Sequence, residues 1–576
     1  MRQLIAPALL ITVVAGSLGL ALFTVHLGPI GPPRVKLAVL VVFDQMRGDY
    51  PTRWKTLYGP DGFARFQSEG MSFTSCYYPY GTTTTGPGHA SILSGTCGDK
   101  HGIINNHWYE GGRQVYCAGS GDYQFVTNID GALSKAGEVG NPDRMLAPTV
   151  ADALKQQRPG AKVFGLSLKD RSAILPTGKN PDGAYWFQGQ FVTSTYYADR
   201  GHPFHPWVEK FNKSKAADAW FGKEWTHFRP DIDYVKWSGP DIAPGEGVGV
   251  SVKIGDKTWA QGVGFPHPNT GGSDKPGGGY YSSLVQSPFG NELLLQFAKE
   301  CIVAEHLGED DVPDLLVVSF SSNDLIGHTW GPDSQEVLDV TLRSDVIVAE
   351  LLKFLDAKVG AGQYIVGITA DHGICPTPEA SRGRGLDAKR VDPGDTAKAI
   401  EAHLTAKFGA PVGDESKKPA WIESYINPWV YFNSKALAAV KKSREEMAEV
   451  VATFLRSQPY IGRALTRGEL QGKLASDDAV GARARRSFNP TRSGDLYVVL
   501  KEWYLPTPVK GTGTTHGAPY DYDAHVPLML YGPGIRGGEQ AQPTTPQAMA
   551  TIFSKWLGIR PPKKAEFPIP SVLRDK

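Results

Sequence analysis

An α/β fold with a mostly parallel central sheet is what this sequence predicts, on three observations. Short apolar, β-branched runs recur, amphipathic helical segments alternate with them, and the runs end in residues able to ionise or bind. Runs of this kind read as buried strands of a parallel sheet, and their alternation with helices implies a sheet covered on both faces.

The first run, VKLAVLVVF (Val35–Phe43), ends in Asp44. AKVFGLSL (Ala161–Leu168) ends in Lys169, Asp170 and Arg171. DLLVVSF (Asp314–Phe320) leads to Asp324 and, four residues on, His328. QYIVGITA (Gln363–Ala370) ends in Asp371 and His372. MLAPTVADALKQQ (Met145–Gln157) and LDVTLRSDVIVAELLKFLDAKVG (Leu338–Gly360) carry helical periodicity between them. Two stretches break the alternation and read as insertions capping one sheet, at about 183–283 and 392–503 of a catalytic domain spanning 36–576. The first contains GGSDKPGGGYY; the second mixes loop and strand with the helix KALAAVKKSREEMAEVVATFLRS.

In 576 residues, 60 Lys and Arg nearly cancel 59 Asp and Glu, a balance that argues against a nucleic-acid partner. The short basic runs GARARR (Gly481–Arg486) and SRGRG read as solvated loops. The N-terminus carries a nearly charge-free apolar stretch from Leu4 to about Val25. That is long enough to span a bilayer, so residues 1–30 read as an export signal, either cleaved or kept as an anchor. The body is then expected in the periplasm or outside the cell, meeting the membrane only through this segment if it is uncleaved. Five cysteines suit that compartment; none has metal-motif spacing, and Cys97 and Cys117 are close enough in sequence to pair.

Ligands of open α/β sheets bind beyond the carboxyl ends of the strands. Any one of the strand-end residues alone reads as a turn, a helix cap or a solvated side chain. Together they gather three carboxylates, two imidazoles and two cations on one rim, and a later His516 or His525 adds a third imidazole. Three Asp and three His without a thiolate suit two zinc ions with three protein ligands each. Such a pair, about 3.5–4 Å apart, stabilises the attacking and leaving oxygens of an in-line displacement. TTTTGPGHASI (Thr82–Ile92) reads as a loop entering a helix with Thr85 at the cap, where an oxyanion is favoured.

The motifs VVFDQMRGD, TTTTGPGHASILSG, HGIINNHWY, SLKDR, SSNDLIGHTWGPDS, ITADHG and GTTHGAPYDYD, in that order, resemble the alkaline phosphatase superfamily. The match is to exported bacterial alkaline phosphatases with a Thr nucleophile and a Lys-x-Arg pair, relatives of nucleotide pyrophosphatases/phosphodiesterases. The resemblance covers the chain from about Lys36 to its end, apart from the insertions. It implies an alkaline-phosphatase-like α/β/α sandwich with Thr85 as nucleophile. Asp44, Asp371 and His372, with the Thr85 oxygen, would hold one zinc; Asp324, His328 and His516 would hold the other. His516 is preferred to His525 because it occupies the T-H-G position. Asn106, rather than Asn105, would bind a phosphoryl oxygen, as would Lys169 and Arg171, while His89 and His101 are structural. An additional structural Ca2+ is left open.

The implied function is a zinc phosphomonoesterase acting on small phosphate esters through a phosphothreonine, with retention at phosphorus. A phosphodiesterase or nucleotide pyrophosphatase, or mixed activity, is the alternative. No C/S-x-P-x-R stretch supports a sulfatase, and no decayed motif supports an inactive, membrane-tethered binding protein.

Overall fold

The computed structural model describes residues 33–126, 133–134, 139–198, 204–412 and 419–574. The N-terminal apolar stretch lies outside the described residues. Among the described residues no helix is long and apolar enough to cross a membrane.

One eleven-stranded sheet organises the chain. Its principal strands are β1 (Leu37–Phe43), β2 (Met71–Phe73), β3 (Val163–Ser167), β4 (Gly183–Phe187), β5 (Phe191–Ser194), β6 (Asp314–Phe320) and β7 (Tyr364–Thr369). A four-stranded antiparallel sheet follows, β8 (Ile422–Ile426), β9 (Trp429–Phe432), β10 (Ile461–Thr466) and β11 (Leu496–Leu500), before β12 (Leu528–Tyr531) returns to the main sheet. In space the main strands run β2-β12-β7-β1-β6-β3-β4-β5, with Gly538–Gln540 at one edge and Phe125–Val126 and Leu133–Ser134 at the other. β7, β1, β6, β3 and β4 are mutually parallel neighbours. β12 pairs with β7 antiparallel.

All four runs expected as strands are therefore adjacent in the parallel core. Every residue of β1 is fully buried, as a strand covered on both faces requires. Each such Val, Leu or Phe contributes about 1.5–3 kcal/mol of apolar burial. Register then sets the site. Phe43 pairs with Phe320, Val42 with Thr369 and Ser319 with Ser167, so the carboxyl ends of β1, β6, β7 and β3 stop at nearly one level.

The helices that matter for the site are α1 (Thr85–Ser94), α2 (Val150–Gln157), α3 (Asp170–Ile174), α4 (Pro288–Ala304), α5 (Ser322–Trp330) and α6 (Gln335–Leu355). α2 opens on a capping box between Thr149 and Asp152, which explains why it starts only after Pro148. α6 starts where the Ser334 hydroxyl accepts from the Val337 N–H.

Several expectations are corrected. Residues 183–194 form β4 and β5 and extend the main sheet; a Gly- and aromatic-rich stretch there concealed strands. GARARR is helical, within α7 (Ala479–Arg486), because Asp478 caps it by accepting from Gly481 N. Its arginines are tied down: Arg483 pairs with Asp521 at 2.8 Å and Arg486 with Asp99 at 2.9 Å and with Glu566. In SRGRG, Ser381, Arg382 and Gly383 end a helix, Pro378–Gly383. All five cysteines are buried free thiols, so Cys97 and Cys117 do not pair. The Cys97 sulfur accepts from Gln547 Nε2, while Cys117 packs against Gly86. The β8–β11 sheet carries its own apolar core with the helices Pro393–Phe408 and Arg444–Arg456, around Ile400, Leu404, Val451 and Leu455.

Candidate active site

The rim beyond β1, β6, β7 and β3 brings the predicted residues together. Asp44 follows β1, Asp371 and His372 follow β7, Lys169 caps α3 after β3, and Asp324 and His328 lie one turn apart on α5. His516 arrives from the loop before β12.

Thr85 enters on α1, but one position later than expected. The helix N-cap is Thr84, whose side chain makes no capping bond, and Thr85 is the first helical residue. The four threonines are distinguished by their partners. Thr82 Oγ1 faces the Tyr497 hydroxyl at 3.3 Å, Thr83 Oγ1 donates to the Ala518 carbonyl at 3.0 Å, and Thr84 Oγ1 donates to Asn105 Oδ1 at 3.1 Å. Thr85 Oγ1 instead lies 3.4 Å from His372 Nε2 and 3.5 Å from Arg171 Nη2. Gly88 allows this approach, since a Cβ there would sit 2.3 Å from the Asp371 carbonyl oxygen.

The first ligand set converges on His372 Nε2. Asp44 Oδ1 is 3.5 Å from it and Asp371 Oδ2 3.3 Å. Both of those carboxylate oxygens are buried; Asp44 Oδ1 has no hydrogen-bond partner, and Asp371 Oδ2 has only His89 Nδ1, 3.3 Å away, which also faces the Thr85 carbonyl. Two buried carboxylate oxygens, an imidazole nitrogen and a Thr hydroxyl facing one another is the donor arrangement a cation satisfies. The second set is Asp324, His328 and His516, whose ligand atoms lie within 4.8 Å of one another. Asp44, Asp324 and His372 meet the same limit, so the two sets adjoin.

All three imidazoles present the same nitrogen. Nδ1 of His328, His372 and His516 faces the backbone carbonyls of Thr514, Gly373 and Thr83 at 2.8, 2.9 and 2.7 Å. A carbonyl only accepts, so Nδ1 carries the proton and Nε2 keeps its lone pair for a metal.

Charge is dense and buried. Burial, reinforced by Asp324 and Asp371, holds the Asp44 carboxyl well above its usual range. Burial acts the same way on Asp324, but His328 and Lys169 outweigh it and hold that carboxyl well below. Burial, with His372 and His328 adding to it, pushes His516 down. Lys169 bridges the sets, with Nζ 2.7 Å from Asp44 Oδ2 and 2.5 Å from Asp324 Oδ2.

Asn106 Oδ1 accepts at 2.6 Å from Gly86 N, in the first turn of α1 next to Thr85; Asn105 is occupied elsewhere, donating to the Asn427 carbonyl. His525 is not in the site, since its ring stacks on Tyr77 and Nε2 faces the Thr74 carbonyl. His89 and His101 are buried against Ser319 and Ser91.

Sequence reasoning missed Tyr116, whose hydroxyl donates to Asp170 at 2.6 Å and accepts from Arg171 Nη1 at 3.3 Å. It also missed Gln45, which contacts Asp324 and Asp371. Gln45 adjoins a strand-end Asp, the one signal available; Tyr116 had none. A third acidic group, Cys97, Asp99 and Glu566, is neutralised by Arg486 and Lys100.

Residues 38–519 match the family described as type I phosphodiesterase / nucleotide pyrophosphatase. The chain is 34% identical over 544 residues to alkaline phosphatase PafA of Elizabethkingia meningoseptica, covering 92% of this chain and 93% of that protein. It is 32% identical over 535 residues to alkaline phosphatase PhoV of Synechococcus elongatus, covering 92% and 91%. The crystal structure of PafA superimposes with a TM-score of 0.82 at 33% identity, over 94% of this chain and 99% of that one. The chain belongs to the type I phosphodiesterase / nucleotide pyrophosphatase family of the alkaline phosphatase superfamily.

Proposed function

We propose that the protein is a metal-dependent alkaline phosphatase that hydrolyses small phosphate monoesters, with Thr85 as the nucleophile. The observation that carries this reading is that Thr85 Oγ1 alone among the four threonine hydroxyls faces both an imidazole of the ligand set and a guanidinium, at 3.4 and 3.5 Å. Asp44, Asp371, His372 and Thr85 would hold one cation and Asp324, His328 and His516 the other. Four O and N donors on one cation and three on the other, none of them a thiolate, fit zinc. Bound there, the pair supplies Lewis-acid stabilisation of the entering and departing oxygens.

The chain's own groups do the rest. Thr85 Oγ attacks phosphorus in line, forming the Thr–O–P bond as the ester P–O bond breaks and the alcohol leaves. Water then attacks the phosphothreonine in line, releasing phosphate and restoring Thr85; two inversions give retention. The N-terminus of α1 turns its positive dipole end toward the phosphoryl oxygens. Arg171 offers a forked contact, and its charge persists because Tyr116, Cys117 and Asp170 outweigh the burial that opposes it. Of the three donors on the Lys169 ammonium, two meet Asp44 and Asp324, leaving one for a phosphoryl oxygen. Such preorganised charge is the main resource for a loose phosphoryl-transfer transition state.

A monoester carries two negative charges against these cations, whereas a diester carries one. That favours monoesters over the diesterase activity named in the family description. The relatives named as alkaline phosphatases support the same choice. The apolar stretch before residue 33, read as an export segment, supports action outside the cytoplasm. Acid quenching during turnover of an aryl phosphate, followed by peptide mapping, should place a phosphoryl group on Thr85. Turnover with no phosphothreonine at any quench time, or label on another residue, would refute the assignment.

A further inference from the structure

Gln45, the residue after Asp44, is the only buried non-glycine residue with positive φ among the described residues, at +70°. Side chains rarely adopt that conformation, and where they do it clusters at functional sites. Here it turns two donors toward the ligand sets at once. The Gln45 backbone N–H donates to Asp371 Oδ1 at 3.1 Å, and the side-chain Nε2 donates to Asp324 Oδ1 at 2.6 Å. A carboxylate only accepts, so the amide nitrogen is the atom facing Asp324.

The two carboxylates belong to different sets. Asp371 Oδ1 also accepts from His372 N at 3.1 Å, which leaves Oδ2 toward His372 Nε2. Asp324 Oδ1 is the oxygen nearest His328 Nε2, at 3.2 Å. Gln45 therefore occupies the Asp371 oxygen that points away from His372 Nε2 and shares the Asp324 oxygen that faces His328, so one residue fixes both carboxylates. A second observation is independent. Gly327 sits inside α5, where glycine is otherwise unfavourable, next to His328. A Cβ on it would lie 2.0 Å from Gln45 Oε1. The helix keeps that position bare where the carboxamide needs the space.

We propose that Gln45 is a positioning residue that couples the two metal-ligand sets, and that Gly327 lacks a side chain in order to seat its carboxamide. This rests on the two-metal reading above. Partners that orient metal-ligating carboxylates typically govern metal affinity by about 10–100-fold.

The test uses wild type, Gln45→Met, Gln45→Asn and Gly327→Ala, each in the full chain. Zinc stoichiometry and affinity are measured by competition with a chromophoric chelator, beside kcat and KM for an aryl phosphate and the melting temperature of chelated protein. The expected result is that one of two zinc affinities falls about 10–100-fold in Gln45→Met and Gly327→Ala alike. kcat should fall at limiting zinc with KM little changed, and excess zinc should restore it. Gln45→Asn keeps the amide on a shorter reach and should be intermediate. Variants that lower only the melting temperature, with both zinc affinities at wild-type values, would overturn the proposal while leaving the two-metal reading intact. A wild type that binds no pair of zinc ions would instead refute that reading.

Discussion

The ammonium of Lys169 lies 2.7 Å from Oδ2 of Asp44, and Oδ1 of the same carboxylate faces His372. Asp324 divides its oxygens in the same way, Oδ2 to Lys169 and Oδ1 to His328. One ammonium thus holds a carboxylate from each candidate ligand set, with the other oxygen of each turned toward an imidazole. Lys169→Ala leaves buried carboxylates uncompensated, a lesion of about 3–5 kcal/mol when one partner of a buried pair is removed. The loss should appear in chemical denaturation of chelator-treated protein and be markedly smaller with zinc bound. An equal loss in both forms would mean that Lys169 does not compensate the ligand carboxylates.

Thr85→Ala should reduce kcat on the order of 10^3-fold or more while zinc content stays at the wild-type value. Thr84→Ala is the control. It loses a hydrogen bond to Asn105, a cost of about 1 kcal/mol in stability, and should leave the chemical step nearly intact. Metal analysis beside steady-state kinetics checks both.

Tyr116→Phe removes the hydroxyl that links Asp170 to Arg171. Arg171 keeps its charge but loses one constraint on its direction. A contact of about 1 kcal/mol corresponds to about a fivefold rise in KM for a monoester. A KM within error of wild type would show that Arg171 is oriented without it.

Acid stability has a specific source in His101. Burial, then the charges of Arg486 and Arg492, push it down to about 3. In the folded state it stays neutral while the unfolded chain takes up a proton near pH 6.5. Its contribution is therefore complete above about pH 6.5 and is lost as pH falls from there toward 3. His101→Gln retains a donor for Ser91 and an acceptor for Ile103 N. It should flatten the acid limb of the stability curve in that window, by up to about 1.4 kcal/mol per pH unit. Urea denaturation across the range measures the slope.

Strand ends were the most legible part of this chain. VKLAVLVVF, DLLVVSF, QYIVGITA and AKVFGLSL are apolar enough to be buried strands, and parallel topology then forces Asp44, Asp324, Asp371 and Lys169 to one rim. The start of α1 was legible to within one residue, because Pro87 is compatible with any position in a first turn. The positive φ of Gln45 was not legible, since glutamine carries no preference for it. Nor were the three backbone carbonyls that orient the histidines, as they come from Thr83, Gly373 and Thr514 and depend on tertiary placement. GAYWF and FVTS were absorbed into a supposed cap because glycine and aromatics masked the strand pattern. The Cys97–Cys117 pairing failed because proximity in sequence says nothing about where packing directs each sulfur.

Lys169 and Arg171 are the groups expected to give this site its preference for monoesters. That expectation is tested most directly by kcat/KM for an aryl phosphate monoester and the matching diester, in wild type and in the Lys169→Ala, Arg171→Ala double variant. The predicted result is a strong monoester preference in wild type that collapses in the double variant, because monoester hydrolysis falls much further than diester hydrolysis. Equal losses on both substrates, or a wild type that prefers the diester, would contradict it.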